Sequence, residues 1–307
     1  YLRRALRLLT AGLGFVVLAG GGFVLAGGRI TPAGWASALL YGANYYDLYV
    51  GYVTTLPGVR HPLQILWSLA VEEHFYLLWP ALLGVLLRRR GLGGVALVLL
   101  LLVLAEPLWR GFLHPLCAAA TPDPVCGMRP QDRLYKATDT RLDSIAWGAL
   151  VAVLAAWRPG WVGRGLARAW QGLAVVGLLV GFLIRDPWFR EVPRTALQGA
   201  ALSVLVPALL LRWGALRRWC EWAPALAVGR LSYGLYLWHW GALALADGLA
   251  PPGGVAWTMA AALFSAVFAL ASWYGIERPM LALRRRAGSQ VPVAPIGGER
   301  PLRPLPG

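Results

Sequence analysis

The chain has 307 residues, 58% of them hydrophobic and only 14% charged, with a mean hydropathy of +0.57. So large an apolar fraction excludes a soluble globular domain and points to a polytopic membrane protein. The formal charge of +15 is carried by arginine apart from Lys136. Positive-inside loops account for arginine clusters between apolar stretches without any nucleic-acid partner, and attraction to an anionic substrate or lipid headgroup is the other reading.

About 20 apolar residues are needed to cross the hydrocarbon. Eight segments approach that requirement in chain order: 8–28, 66–87, 92–112, 140–157, 169–185, 195–213, 225–247 and 255–276. Residues 33–53 carry Asn44, Asp47 and five tyrosines, which favours a re-entrant or interfacial element over a full crossing. The expected fold is therefore all-α, a bundle of about eight transmembrane helices plus that one segment.

Arginine clusters at Arg3/Arg4/Arg7, Arg88/Arg89/Arg90, Arg158/Arg164/Arg168, Arg212/Arg217/Arg218 and Arg284/Arg285/Arg286 fall on every second connection. Placing them in the cytoplasm gives a multi-pass protein of the inner (plasma) membrane with both termini of this chain inside and loops 113–139 and 186–194 outside. Residues 1–280 form the membrane domain, and the Pro-, Gly- and Arg-rich stretch 281–307 reads as a disordered cytoplasmic tail. The three cysteines lack metal-ligand spacing, so no metal site is expected. Cys117 and Cys126 flank a Pro-rich loop, where an outside location would permit a disulfide, and Cys220 reads as a free thiol.

Three polar clusters interrupt the apolar pattern. In the first, Trp67, Ser68, Glu72, Glu73, His74 and Tyr76 open a membrane span. A charge at the bilayer centre costs a few kcal/mol even on lenient scales, about 3, so such groups are functional-site hypotheses. Glu72 and Glu73 lie about 10 Å below the outer end of their helix at 1.5 Å per residue. A desolvated carboxylate there can act as general acid or base or orient a histidine, and the alternative is a structural pairing with arginine.

The second cluster is Thr138-Asp139-Thr140-Arg141-Leu142-Asp143-Ser144. Asp139 fits a helix N-cap, whereas Arg141 and Asp143 divide between a structural ion pair and an active site. The third holds Ser232, Tyr233, Tyr236 and His239, with His239 in the outer half of its span. His61 and His114 fall in loops and receive no role.

The stretches Trp67 to Pro80, Thr140 to Gly148, Ser232 to Trp240 and Ile276-Glu277-Arg278-Pro279, in this order and over nearly the whole chain, resemble successive signatures of the membrane acyltransferase 3 family. The resemblance implies ten membrane helices and transfer of an acyl group, often acetyl from acyl-CoA, to hydroxyls of sugars, polysaccharides, peptidoglycan or macrolides. It also implies two further helices ahead of the segment that matches Tyr1 to Arg7, the first bearing the family's histidine. His74 stands where glutamine is usual, Ile65 where many members have histidine, and Gly241 where proline is usual.

The expected activity is O-acyl transfer from acyl-CoA, typically acetyl-CoA, to a hydroxyl-bearing saccharide or lipid-linked acceptor, with no bound cofactor and with membrane lipids as surroundings. Glu73 is the expected catalytic or histidine-orienting carboxylate and Glu72 its structural or relay partner. Arg141 is expected to neutralise developing negative charge or bind phosphate, with Asp143 holding it. Trp67, Ser68, His74, Tyr76, Tyr233, Tyr236 and His239 are expected to line the substrate pocket. The rival readings are an inactive remnant or binding subunit and a transporter or flippase using the same charges as a pathway.

Overall fold

A computed structural model describes residues 10–53, 55, 56, 59–118, 121–158, 160, 168–211 and 218–286. Among these the chain is helical, with a lone backbone bridge between Asp123 and Gly127. A helix occupies each of the eight apolar segments: α1 (Thr10–Leu25), both arms of α4 (Trp67–Cys117), α6 (Asp143–Trp157), α7 (Arg168–Leu183), α9 (Arg194–Leu211), α10 (Ala223–Asp247) and α11 (Val255–Ser272). Between them lie the short helices α2 (Pro32–Leu39), α3 (Ala43–Tyr49), α5 (Arg133–Lys136) and α8 (Pro187–Glu191). A π turn at Trp273–Glu277 leads into α12 (Arg278–Arg286).

Helix α4 is a hairpin. Gly91 leaves the helical region at φ 62, ψ −171, a left-handed position that glycine takes without a Cβ clash. His74 and Trp109 would stand about 50 Å apart on a straight helix at 1.5 Å per residue. Instead His74 hydrogen-bonds Thr138 and the Trp109 indole hydrogen-bonds Asp139, one residue further on. Trp79, Leu83 and Leu86 of arm 67–90 accordingly pack on the same cluster as Val95, Leu99 and Val103 of arm 92–117, with Ala146 and Leu150 of α6 completing it. The Arg88–Arg90 run thus sits at the hairpin tip.

The opposite end of these helices is built from loops. Helices α2 and α3 span 8 and 7 residues, too short to cross a bilayer, and α2 starts on Thr31, whose side chain accepts from Gly34 N. Buried Asp47 of α3 takes the Lys136 ammonium at 2.6 Å, with Arg129 at 3.7 Å and Gln64 donating at 3.2 Å. Asn44 donates to Thr138 Oγ1 and the Lys136 carbonyl. Gly127, at φ +80, lets the 123–128 loop close against α3: a Cβ there would meet the Leu48 carbonyl oxygen at 2.5 Å, where Met128 N already donates at 2.8 Å. Cys117 and Cys126 are disulfide-bonded and pack with Leu113, Leu134 and Val192, so loops 113–139 and 186–194 share one end of the molecule.

Two helical stretches, Pro62–Cys117 and Val255–Ala282, are long and apolar enough to cross a membrane by length and composition. The first of these is folded back on itself at Gly91. Helices at Thr10–Leu25, Asp143–Trp157, Ala169–Leu183 and Arg194–Leu209 are apolar but shorter. The expected disordered tail is revised at its start, because 281–286 continue α12; its remainder, 287–307, lies outside the described residues, as do Arg3, Arg4, Arg7, Arg164, Arg212 and Arg217.

Candidate active site

Arm 67–90 begins where the 3₁₀ turn Pro62–Leu66 ends, and its first two turns present their polar side chains to three different neighbours. Ser68 faces α10, where its hydroxyl hydrogen-bonds that of Tyr236, which also donates to the Ile65 carbonyl at 3.3 Å. Trp67 faces the α5–α6 connection, its ring 4.8 Å from that of Tyr135. His74 faces the 3₁₀ turn Thr138–Thr140, with Nδ1 2.7 Å from Thr138 Oγ1 and its ring stacked on Tyr45 at 6.2 Å.

Glu72 and Glu73 lie on the α10 side. Tyr233 feels both carboxylates as well as Glu277, and Tyr236 feels Glu72. The phenolic oxygens of Tyr233 and Tyr41 both approach Gly12 of α1, 3.5 and 3.7 Å from where its Cβ would stand. Tyr41 itself holds φ 57, a left-handed backbone that costs a bulky residue about 1 kcal/mol or more. Gly234, the residue after Tyr233, admits Glu277 closely: a Cβ there would lie 3.0 Å from its Oε1, which also accepts from Ser272 at 3.2 Å. The result is a polar cluster between α1, arm 67–90, α10 and the π turn that gathers three carboxylates, a serine and three tyrosine hydroxyls. Such a set can accept a proton from a bound hydroxyl and donate hydrogen bonds to an oxyanion.

The second cluster divides. Arg141 lies over Tyr135 and Trp67, 4.9 and 5.8 Å from the ring centroids. Asp143 does not anchor it as expected. That carboxylate, fully buried, takes Arg110 of arm 92–117 at 2.8 Å, and Glu106 approaches the same guanidinium at 3.6 Å. Arg110 also donates to the Thr140 and Val192 carbonyls, tying arm 92–117 to the connection before α6 and to the end of α8. Asp139 is the acceptor of a bidentate pair from Arg133, at 2.9 and 2.7 Å. Burial pushes the Asp139 carboxyl up, but the hydrogen bonds from Arg133 and Trp109 outweigh it and hold it below the ordinary value.

The other expected residues are more local. His239 turns Nδ1 to the Tyr236 carbonyl on its own helix, and its ring lies 5.6 Å from that of Tyr236. Tyr76 packs edge-on against Phe75 at 5.7 Å. Tyr41, Glu106, Arg110 and Glu277 are the site neighbours that reading the sequence left without a role. An arginine four residues after a glutamate in an apolar run was the available signal for the Glu106–Arg110 pair.

No protein-family model matches the chain, and no solved structure matches it. It is 26% identical over 263 residues to YrhL of Bacillus subtilis, which covers 80% of this chain and 39% of that protein. It is 28% identical over 214 residues to the peptidoglycan O-acetyltransferase OatA of Listeria monocytogenes, covering 66% of this chain and 32% of the relative. The O-acetyltransferase OatA of Staphylococcus aureus is 27% identical over 191 residues, 58% of this chain and 29% of that protein. The chain thus spans 29 to 39% of the length of these relatives, and its similarity is to O-acetyltransferases.

Proposed function

We propose that this chain is the membrane-embedded acyl-transfer unit of an O-acetyltransferase, moving an acetyl group from acyl-CoA to a hydroxyl of a cell-wall saccharide. The observation that carries the reading is that Glu72 and Glu73 of arm 67–90 lie near enough to Tyr233 of α10 to act on it electrostatically, Glu72 acting also on Tyr236, in a chain similar to proteins named O-acetyltransferases. The outward apolar side chains support membrane embedding: Leu25, Val255, Leu108, Leu183 and Phe182 are all exposed. A bundle crossing the bilayer eight times satisfies them, with the disulfide-bearing loops outside and the Arg88–Arg90 hairpin tip in the cytoplasm.

In this reading the acceptor hydroxyl enters beside Glu73, which takes its proton or orients the imidazole that does. The oxygen attacks the thioester carbonyl, the tetrahedral oxyanion is met by tyrosine hydroxyls, and the CoA thiolate leaves with a proton returned from the base. Glu72 is the structural or relay partner of Glu73. The test is an acyl-transfer assay with acetyl-CoA and a peptidoglycan oligosaccharide on the full-length protein in its membrane. Glu73→Gln is expected to lose transfer while the folded protein persists, and unchanged transfer would remove Glu73 from the reaction.

A further inference from the structure

On the loop side, a pocket of about 250 Å³ opens between the α5 turn, Arg141, α8 and the start of α9. It lies beside the carboxylate and tyrosine cluster: Tyr135 of its lining acts on Tyr236, and Arg141 covers the Trp67 ring. Arg141, Arg190 and Arg194 line it, and Asp132 and Glu191 are its acidic members. Asp132 is partnered by Lys136 at 2.7 Å; Glu191 stands 3.6 Å from His114, an ion pair only when that imidazole is protonated, and also feels the Arg190 charge.

The guanidinium groups are not so matched. Among the described residues no carboxylate lies within ion-pair distance of Arg141, Arg190 or Arg194. Asp143, whose charge Arg141 feels, is paired with Arg110, and Arg141 is further opposed by the like charges of Arg110 and Arg194. Arg194 Nε is buried with no acceptor, and so is the Thr195 hydroxyl beside it. A buried, unsatisfied guanidinium N–H costs free energy unless an anion supplies the acceptor. The start of the 18-residue helix α9 adds backbone N–H groups of favourable polarity to the same wall.

We propose that this pocket binds the carboxylate of an acidic saccharide, fixing the acyl acceptor by its charge. The proposal rests on the acyl-transfer reading for its role and on the pocket alone for its binding. Guanidinium forks match a carboxylate bidentately. Leu134, Tyr135 and Pro187 complete the lining and give the pocket an apolar part beside the guanidinium groups, which suits the carbon skeleton of a sugar ring. The pocket is below the size of a site for a whole drug-sized ligand and suits one sugar residue bearing its charged group.

The test is calorimetric titration of the full-length protein in nanodiscs, without acyl donor. The probes are a tetrasaccharide alternating N-acetylglucosamine and N-acetylmuramic acid, its carboxyl methyl ester, and inorganic phosphate. The acidic tetrasaccharide is expected to bind at least tenfold more tightly than the ester, and more weakly as salt is raised. Arg190→Gln, at an exposed position, and Arg194→Gln are expected to remove that difference, and Arg194→Lys to restore part of it. Equal binding of acid and ester, or binding of phosphate with none of the acidic saccharide, overturns the proposal. Because no acyl donor is present, failure of the transfer reading would leave this binding intact, and failure of the binding would leave the Glu73 assay unaffected.

Discussion

The hydroxyls of Ser68 on arm 67–90 and Tyr236 on α10, 168 positions apart in the chain, hydrogen-bond each other across the helix interface. Together with the bond from Tyr236 to the Ile65 carbonyl, this contact fixes the angle at which α10 meets the start of α4. The same two helices carry Glu72, Glu73 and Tyr233, so the contact sets the geometry of that cluster. Tyr236→Phe and Ser68→Ala are each expected to cost about 1 kcal/mol of stability, the net worth of one such bond. A double-mutant cycle by thermal unfolding should show a coupling of similar size, and additive losses would show that the hydroxyls act separately.

Arg110 supports the fold from beneath the loops. It is 1% exposed, and it joins Asp143, Glu106, Thr140 and Val192. Removing one partner of a buried pair leaves the other charge unmatched, at about 3–5 kcal/mol. Arg110→Met is expected to lower the unfolding temperature sharply or abolish insertion, whereas Arg110→Met combined with Asp143→Leu and Glu106→Leu should recover much of it. A triple variant as unstable as the single one would mean that Arg110 acts through its two carbonyl bonds alone.

How much of this was legible beforehand depends on the range of the interaction. The arginine run Arg88–Arg90 marked the connection between spans 66–87 and 92–112, because a charge cluster is a local signal, whereas the turn at Gly91 was not read from the sequence. The polar content of 33–53 likewise marked a segment that does not cross. Partner choice was not local. Asp143 reads as Arg141's companion from two residues away, yet Arg110, 33 positions earlier, reaches it because the hairpin returns arm 92–117 beside α6. Tyr41 joined the cluster from the connection between α2 and α3 and Glu277 from the π turn, and the helical period of α4 carries no information about either.

The Cys117–Cys126 bridge closes a short loop that packs on Leu134 and Val192. Loop-closure entropy for about 10 residues corresponds to about 2–3 kcal/mol. Cys117→Ser with Cys126→Ser, or dithiothreitol applied to the native protein, should lower the unfolding temperature by the same amount. Reduction that alters the native protein but leaves the double variant unmoved identifies the bridge as the cause.

His61 predicts an acid limb in stability. Its ring is 2% exposed, stacked 4.7 Å from Tyr52, and its Nδ1 has no partner. Burial pulls the imidazole down to about 4, against the opposing pull of the Asp47 carboxylate. The unfolded chain, with a pKa near 6.5, binds the proton first, so stability is complete above pH 6.5 and falls as pH drops toward 4. The loss approaches about 3 kcal/mol at the acid end of that window. His61→Phe keeps the stacking and should flatten the unfolding temperature between pH 7 and pH 5, and an unaltered slope would assign the acid limb to other groups.

The central claim is that the carboxylates of arm 67–90 serve acyl transfer. It is tested most directly by the rate of acetyl transfer from acetyl-CoA to a peptidoglycan oligosaccharide in membranes carrying the full-length protein, wild type against Glu73→Gln, with unfolding temperature measured on the same preparations. A loss of about 10²-fold or more at unchanged unfolding temperature is the predicted result for a proton-transfer group. Transfer at the wild-type rate by the folded Glu73→Gln protein would contradict the account.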